Sequence, residues 1–147
     1  MPTADLPIGP AGSGDRRPDG PDRGATPVEL AILMPVILVL LFASIQFAAV
    51  YLARAVALSA AQQGVTAQRV HGAEPGDGVA RATEFLRGAG DWLTGWDSPG
   101  PVCVSTPAGA PTEVQCTVSG HALSVVPFLD FEVRQTAHGT VERFTVG

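Results

Sequence analysis

The sequence predicts a membrane-anchored α+β protein: a long N-terminal helix, a short second helix and a small antiparallel sheet built from hairpins. Three observations carry that prediction. Leu30 to Ala53 is an apolar run of 24 residues without a charge. Residues 54–70 and 78–88 keep good helix formers, with apolar positions three or four apart. After Gly95 the apolar period falls to two, the period of a strand.

Taken in order, residues 1–24 are rich in Pro, Gly, Asp and Arg and hold almost no large apolar side chain. Such a segment is expected to be a disordered leader. The run 30–53 would rise about 36 Å as a helix, more than the ~30 Å of a bilayer core. Ser44 and Gln46 are its only clearly polar side chains. It reads as a single membrane span, because the remaining chain is too small and polar to surround it. Arg16, Arg17 and Arg23 precede the span, whereas Arg54 and Arg69 follow it. Three basic residues against two favour a cytoplasmic N-terminus. Cys103 and Cys116, the only cysteines, then fall on the oxidising side. A cleaved secretory signal competes, since Ala55-Val56-Ala57 resembles an A-x-A site, but its apolar region should be only 7–15 residues.

The helix is expected to continue to residue 70, with Leu58, Ala61 and Val65 on one face, and to end at the Gly- and Pro-containing stretch 71–78. Pro35 should kink the span or be relieved by neighbouring helices. In residues 78–88, Val79, Ala82, Phe85, Leu86 and Ala89 make the apolar stripe of a second helix. Strands at 102–106 and 113–119 flank the turn Pro107-Ala108-Gly109-Ala110-Pro111. A second pair is expected at 121–126 and 130–137 around Pro127. In the first hairpin, Cys103 faces Cys116 if Thr106 pairs with Glu113. A cross-strand disulfide is then geometrically reasonable; two buried thiols are the other reading. The chain thus divides into a leader (1–24), a transmembrane helix with its extension (25–70) and an extracytoplasmic α+β domain (71–147).

Composition excludes several functions. Nine Arg and no Lys stand against 14 carboxylates, for a net charge of −5, so a nucleic-acid partner is not expected. His71, His121 and His138 lack metal-ligand spacing, so neither metal nor cofactor is expected. Asp130 and Glu132 fit a solvated strand face better than an acid/base pair. Trp92 and Trp96, four apart around Leu93, read as packing residues. No nucleophile elbow, phosphate loop or dinucleotide fingerprint occurs, so no catalytic residue is assigned and the chain is not expected to be an enzyme.

The informative constellation is Arg23-Gly24-Ala25-Thr26-Pro27-Val28-Glu29-Leu30, flush against the apolar run. A carboxylate at the edge of a membrane needs a reason. As a first-turn residue, Glu29 complements the helix dipole, and Pro27 is tolerated near N1. If the chain were cut after Gly24, Ala25 would carry a cationic α-amine. Among packed helices, Glu29 of a neighbouring subunit would partner that amine. The stretch from Arg23 resembles the N-terminus of TadE-like minor pseudopilins of tight-adherence (Flp) pili, whose pattern is R-G-x-x-x-V-E-F/L-A-L/I-x-x-P. Arg23, Gly24, Val28, Glu29, Leu30, Ala31 and Pro35 match it. The likeness continues loosely through 60–64 and in the tail at 118–120, Pro127 and 141–144.

The resemblance implies a pilin-like fold and cleavage by a membrane-embedded prepilin peptidase between Gly24 and Ala25. It implies a structural role at the cell membrane, with other pilin or pseudopilin subunits and the pilus assembly platform as partners. The competing reading is an uncleaved single-pass protein whose outer domain is a binding module in an envelope complex. A secreted protein released after Ala57 is a third.

Overall fold

The computed structural model describes Gly9 and residues 26–141. The leader, the Gly24–Ala25 junction with Arg23, and tail residues 142–144 lie outside the described residues. The elements run α1 (Pro27–Gln68), α2 (Asp77–Gly88), β1 (Leu93–Thr94), β2 (Val102–Thr106), β3 (Glu113–Ala122) and β4 (Glu132–Thr140).

The long helix α1 spans 42 residues, roughly 63 Å. Ala and Leu dominate it, and it continues through Pro35 as one element. Its covered residues begin at Gln46 and continue with Ala49, Ala53, Ala57, Ala60, Ala61, Gly64 and Val65. This stripe of small side chains lets a sheet lie close to the helix backbone. Leu58, expected on the apolar face, stays partly exposed while Ala61 and Val65 beside it are buried. The sheet takes the alanine side because only small residues permit that approach.

A turn at 69–76 reverses the chain, and the Gln68 side chain organises it. Its amide donates to the Glu74 carbonyl and accepts from the Gly78 N–H, both at 3.0 Å. Gly76 precedes α2 with φ 108°, a conformation glycine adopts without a Cβ penalty. Helix α2 then packs on α1, burying Ala82 and Leu86. The crossing is tight at Gly64 and Gly78, because a Cβ on Gly64 would lie 2.9 Å from the Gly78 carbonyl oxygen.

Strand β3 is the centre of the sheet. It pairs antiparallel with β4 along one edge; β2 and β1 follow one another along its other edge. The β2–β3 register sets Thr106 opposite Glu113 and Cys103 opposite Cys116, whose sulfurs are bonded. Alternate β3 residues Val114, Cys116, Val118 and Ala122 are buried with Val133 and Ala137 of β4. They meet the alanine stripe of α1, with Leu86 and Leu93 closing the core. Each large side chain buried this way contributes roughly 1.5–3 kcal/mol.

The second strand pair differs from expectation. No strand covers 123–126. Instead β3 runs to Ala122 and pairs with β4 from Glu113–Thr140 to His121–Glu132, leaving 123–131 as the connection. The apolar stretch Leu123–Val126 looks like a strand by composition. Here, however, Leu123 and Val125 give backbone groups to the side chain of Gln46 on α1. Pro127 has no N–H to donate to a ladder.

Candidate functional site

The N-terminus of α1 is built by a cap. Thr26 is extended (φ −63°, ψ 149°), and its hydroxyl accepts from the Glu29 N–H at 3.4 Å. Its carbonyl takes the Leu30 N–H at 3.0 Å, starting the helical ladder. Pro27 follows in the first turn, where a missing N–H costs nothing. Glu29 thus occupies the third helical position, where its carboxylate lies at the positive end of the dipole. Among the described residues that carboxylate has no hydrogen-bond or ion-pair partner.

Val28, Ala31 and Pro35, spaced three and four apart, share one face of α1; Glu29 lies to its side, in line with Leu33 and Val36. All of these residues are exposed. Within α1 an 18-residue window with mean hydropathy 2.6 has none of its residues buried. The core helix of a soluble domain would be covered by its own chain, and this one is not. One helix near the N-terminus therefore fits a single-pass membrane protein.

Higher on α1, Gln46 is 6% exposed although it sits in an apolar run. Its Oε1 accepts the Val125 N–H at 2.9 Å, and its Nε2 donates to the Leu123 carbonyl at 3.3 Å. One helical amide thereby satisfies two backbone groups that have left the sheet. Ser44, the other polar residue of the run, donates to the Leu40 carbonyl at 2.8 Å and so needs no external partner.

The remaining polar groups form surface pairs. His121 Nδ1 lies 2.8 Å from Asp130 Oδ1, and His138 Nδ1 lies 3.3 Å from Glu113 Oε1. Arg134 faces Glu132 at 3.7 Å. Asp130 is therefore held in the 123–131 connection by a histidine, not paired with Glu132 on a strand. Among the described residues no three His, Cys, Asp or Glu side chains are grouped as a metal would require. Trp96 packs against the core, whereas Trp92 remains 44% exposed. Ala57 is fully buried in mid-α1. Cutting there to release a secreted product would strip the helix–sheet domain of the upstream stripe that includes Ala49 and Ala53.

Residues 24–66 match the family model described as TadE-like protein. The TadE-like segment opens at Gly24, includes the Glu29 turn and the uncovered part of α1, and ends beside Gly64. The second helix and the sheet lie beyond it. No curated protein and no solved structure matches the chain.

Two residues of this site escaped the sequence reading. Thr26 was legible, since Thr-x-x-Glu before an apolar run is the spacing of a capping box. Gln46 was visible only as an exception to hydropathy, and its partners lie 77 and 79 residues further on.

Proposed function

We propose that the chain is a minor pseudopilin-like structural subunit serving assembly of a tight-adherence (Flp-type) pilus, and that it is not an enzyme. In this reading a prepilin peptidase cuts between Gly24 and Ala25 on the cytoplasmic side. The outer domain then stands outside the cell membrane. The observation that carries the proposal is the TadE-like match at 24–66, which runs from Gly24 through a carboxylate at the head of an uncovered helix. Processing would leave Ala25 with an α-amine directly before the Thr26 cap. Glu29 has no partner among the described residues, and in a low-dielectric bundle it is a suitable counter-ion for the α-amine of a neighbouring subunit. The Arg23 side chain and the rest of the leader would leave with the cleaved peptide.

The test is the intact mass of the membrane-extracted protein from its own host, paired with Glu29→Ala. The expected wild-type chain begins at Ala25. The Glu29→Ala chain is expected to insert normally yet lose co-purification with other pilin-type subunits by about tenfold, corresponding to ~1.4 kcal/mol of lost coupling. A chain still beginning at Met1, with Glu29→Ala fully functional, would instead identify an uncleaved anchor.

A further inference from the structure

We infer that the β3–β4 connection, residues 123–131, is a lipid-binding foot: it rests on the outer bilayer surface and embeds Phe128 there. The inference rests on residues 27–45 being a bilayer span, and it does not depend on the pilus reading.

Depth comes first. From Pro27 to Ile45 no residue of α1 is buried, and Gln46 is the first that is. Those 19 residues rise about 28 Å, which closely matches a hydrocarbon core of ~30 Å. The outer domain therefore begins where the hydrocarbon ends. The segment at that level is the 123–131 connection, tied to Gln46 through Val125 and Leu123. Strand β3 runs down towards it: Cys116 lies by Gly64 on the far part of α1, whereas Leu123 lies by Gln46.

What the segment presents is apolar. Phe128 is fully exposed and holds φ 76°, unusual for a residue with a Cβ. Leu129 and Phe131 form one wall of a groove of about 490 Å³, and Phe47 and Tyr51 of α1 line the other. Arg54 lines the same groove. Helical side chains lean towards the helix N-terminus, so Arg54 leans back towards the bilayer. An apolar trough with a cation at its wet end, reaching down over it, has the polarity of a phospholipid, with acyl chain below and phosphate above. Tyr51, in the same groove, is of a residue type enriched at membrane–water interfaces. The surface is continuous with the uncovered helix, so lipid that covers one covers the other.

The experiment uses the full chain in phosphatidylcholine–phosphatidylglycerol vesicles, comparing wild type with Phe128→Trp. The emission added by the new tryptophan is read as a difference from Trp92 and Trp96. Lipids brominated on the acyl chain are expected to quench that added emission at least about twofold, corresponding to contact at the interface. Quenching should not change when the chain is diluted tenfold in lipid. Unquenched added emission would overturn the proposal, and so would quenching that appears only on dilution, because a second copy would then cover the foot. Leu129→Trp reads the same tip if Phe128→Trp does not fold. An alkaline wash separates the readings. Release from the vesicles removes the span and the foot together, whereas retention with unquenched emission removes the foot alone.

Discussion

Replacing Gln46 with leucine keeps an apolar side chain in its place, branched one carbon earlier, and removes the amide. Val125 N–H and Leu123 C=O then lose partners at 2.9 and 3.3 Å. A hydrogen bond made in water's place is worth about 0.5–1.5 kcal/mol net, but a buried group left unpaired costs about 1–3 kcal/mol. The second effect dominates, because Gln46 is almost wholly enclosed. The penalty is local: the 123–131 connection can swing away and rehydrate both groups without unpairing β3 from β4. An opening cost lowered by about 1.4–2.8 kcal/mol speeds amide exchange by ~10- to 100-fold. The assay is hydrogen exchange of the ¹⁵N-labelled full chain in bicelles, followed at Val125 and along the β3–β4 ladder. Val125 should accelerate while the ladder amides keep their rates. Gln46→Asn, one methylene too short to reach both groups, should behave like the leucine variant. A change at Val125 below about threefold would refute the capping argument. Equal acceleration throughout the ladder would refute its locality.

Two further outcomes concern the tight crossing of the helices and the first hairpin. Gly64→Ala gains roughly 1 kcal/mol of helix propensity, but its Cβ meets the Gly78 carbonyl oxygen at 2.9 Å and the two sulfurs at 3.1 and 3.2 Å. Backbone and cross-linked sulfurs cannot step aside singly, so an overpacking cost of about 1–3 kcal/mol prevails. The guanidinium midpoint should fall, and a higher midpoint would count against the packing described. The double variant Cys103→Ser, Cys116→Ser opens a cross-link of sequence separation 13, which the chain-entropy model values at ~3 kcal/mol. Thermal unfolding should shift down in the variant, and equally in wild type under reductant; coincident curves with and without reductant would show no contribution from the bond.

The parts of the fold that were legible from sequence are those decided by near neighbours. A charge-free run of 24 residues can only be helical where backbone groups lack water, and α1 carries it whole. The 71–78 stretch stops that helix because glycines there adopt left-handed turns, as at Gly72 and Gly76. The β2–β3 register follows from a short turn and a period of two, so Cys103 and Cys116 meet through local geometry alone. The Glu29 constellation was likewise contiguous. Its residues are neighbours in sequence, and Thr26 to Glu29 make up the cap and first turn of α1.

Only the tertiary structure decided where α1 ceases to face outward and becomes core. Bilayer and protein interior are both apolar, so hydropathy cannot mark the boundary between Ile45 and the alanine stripe. That boundary exists because a particular sheet packs there. The same holds for Gln46, whose meaning depends on a backbone 77–79 residues away, and for the end of β3 at Ala122. Strand propensity favours continuing through Val126, but the side chain of a distant helix takes the hydrogen bonds that a neighbouring strand would have used.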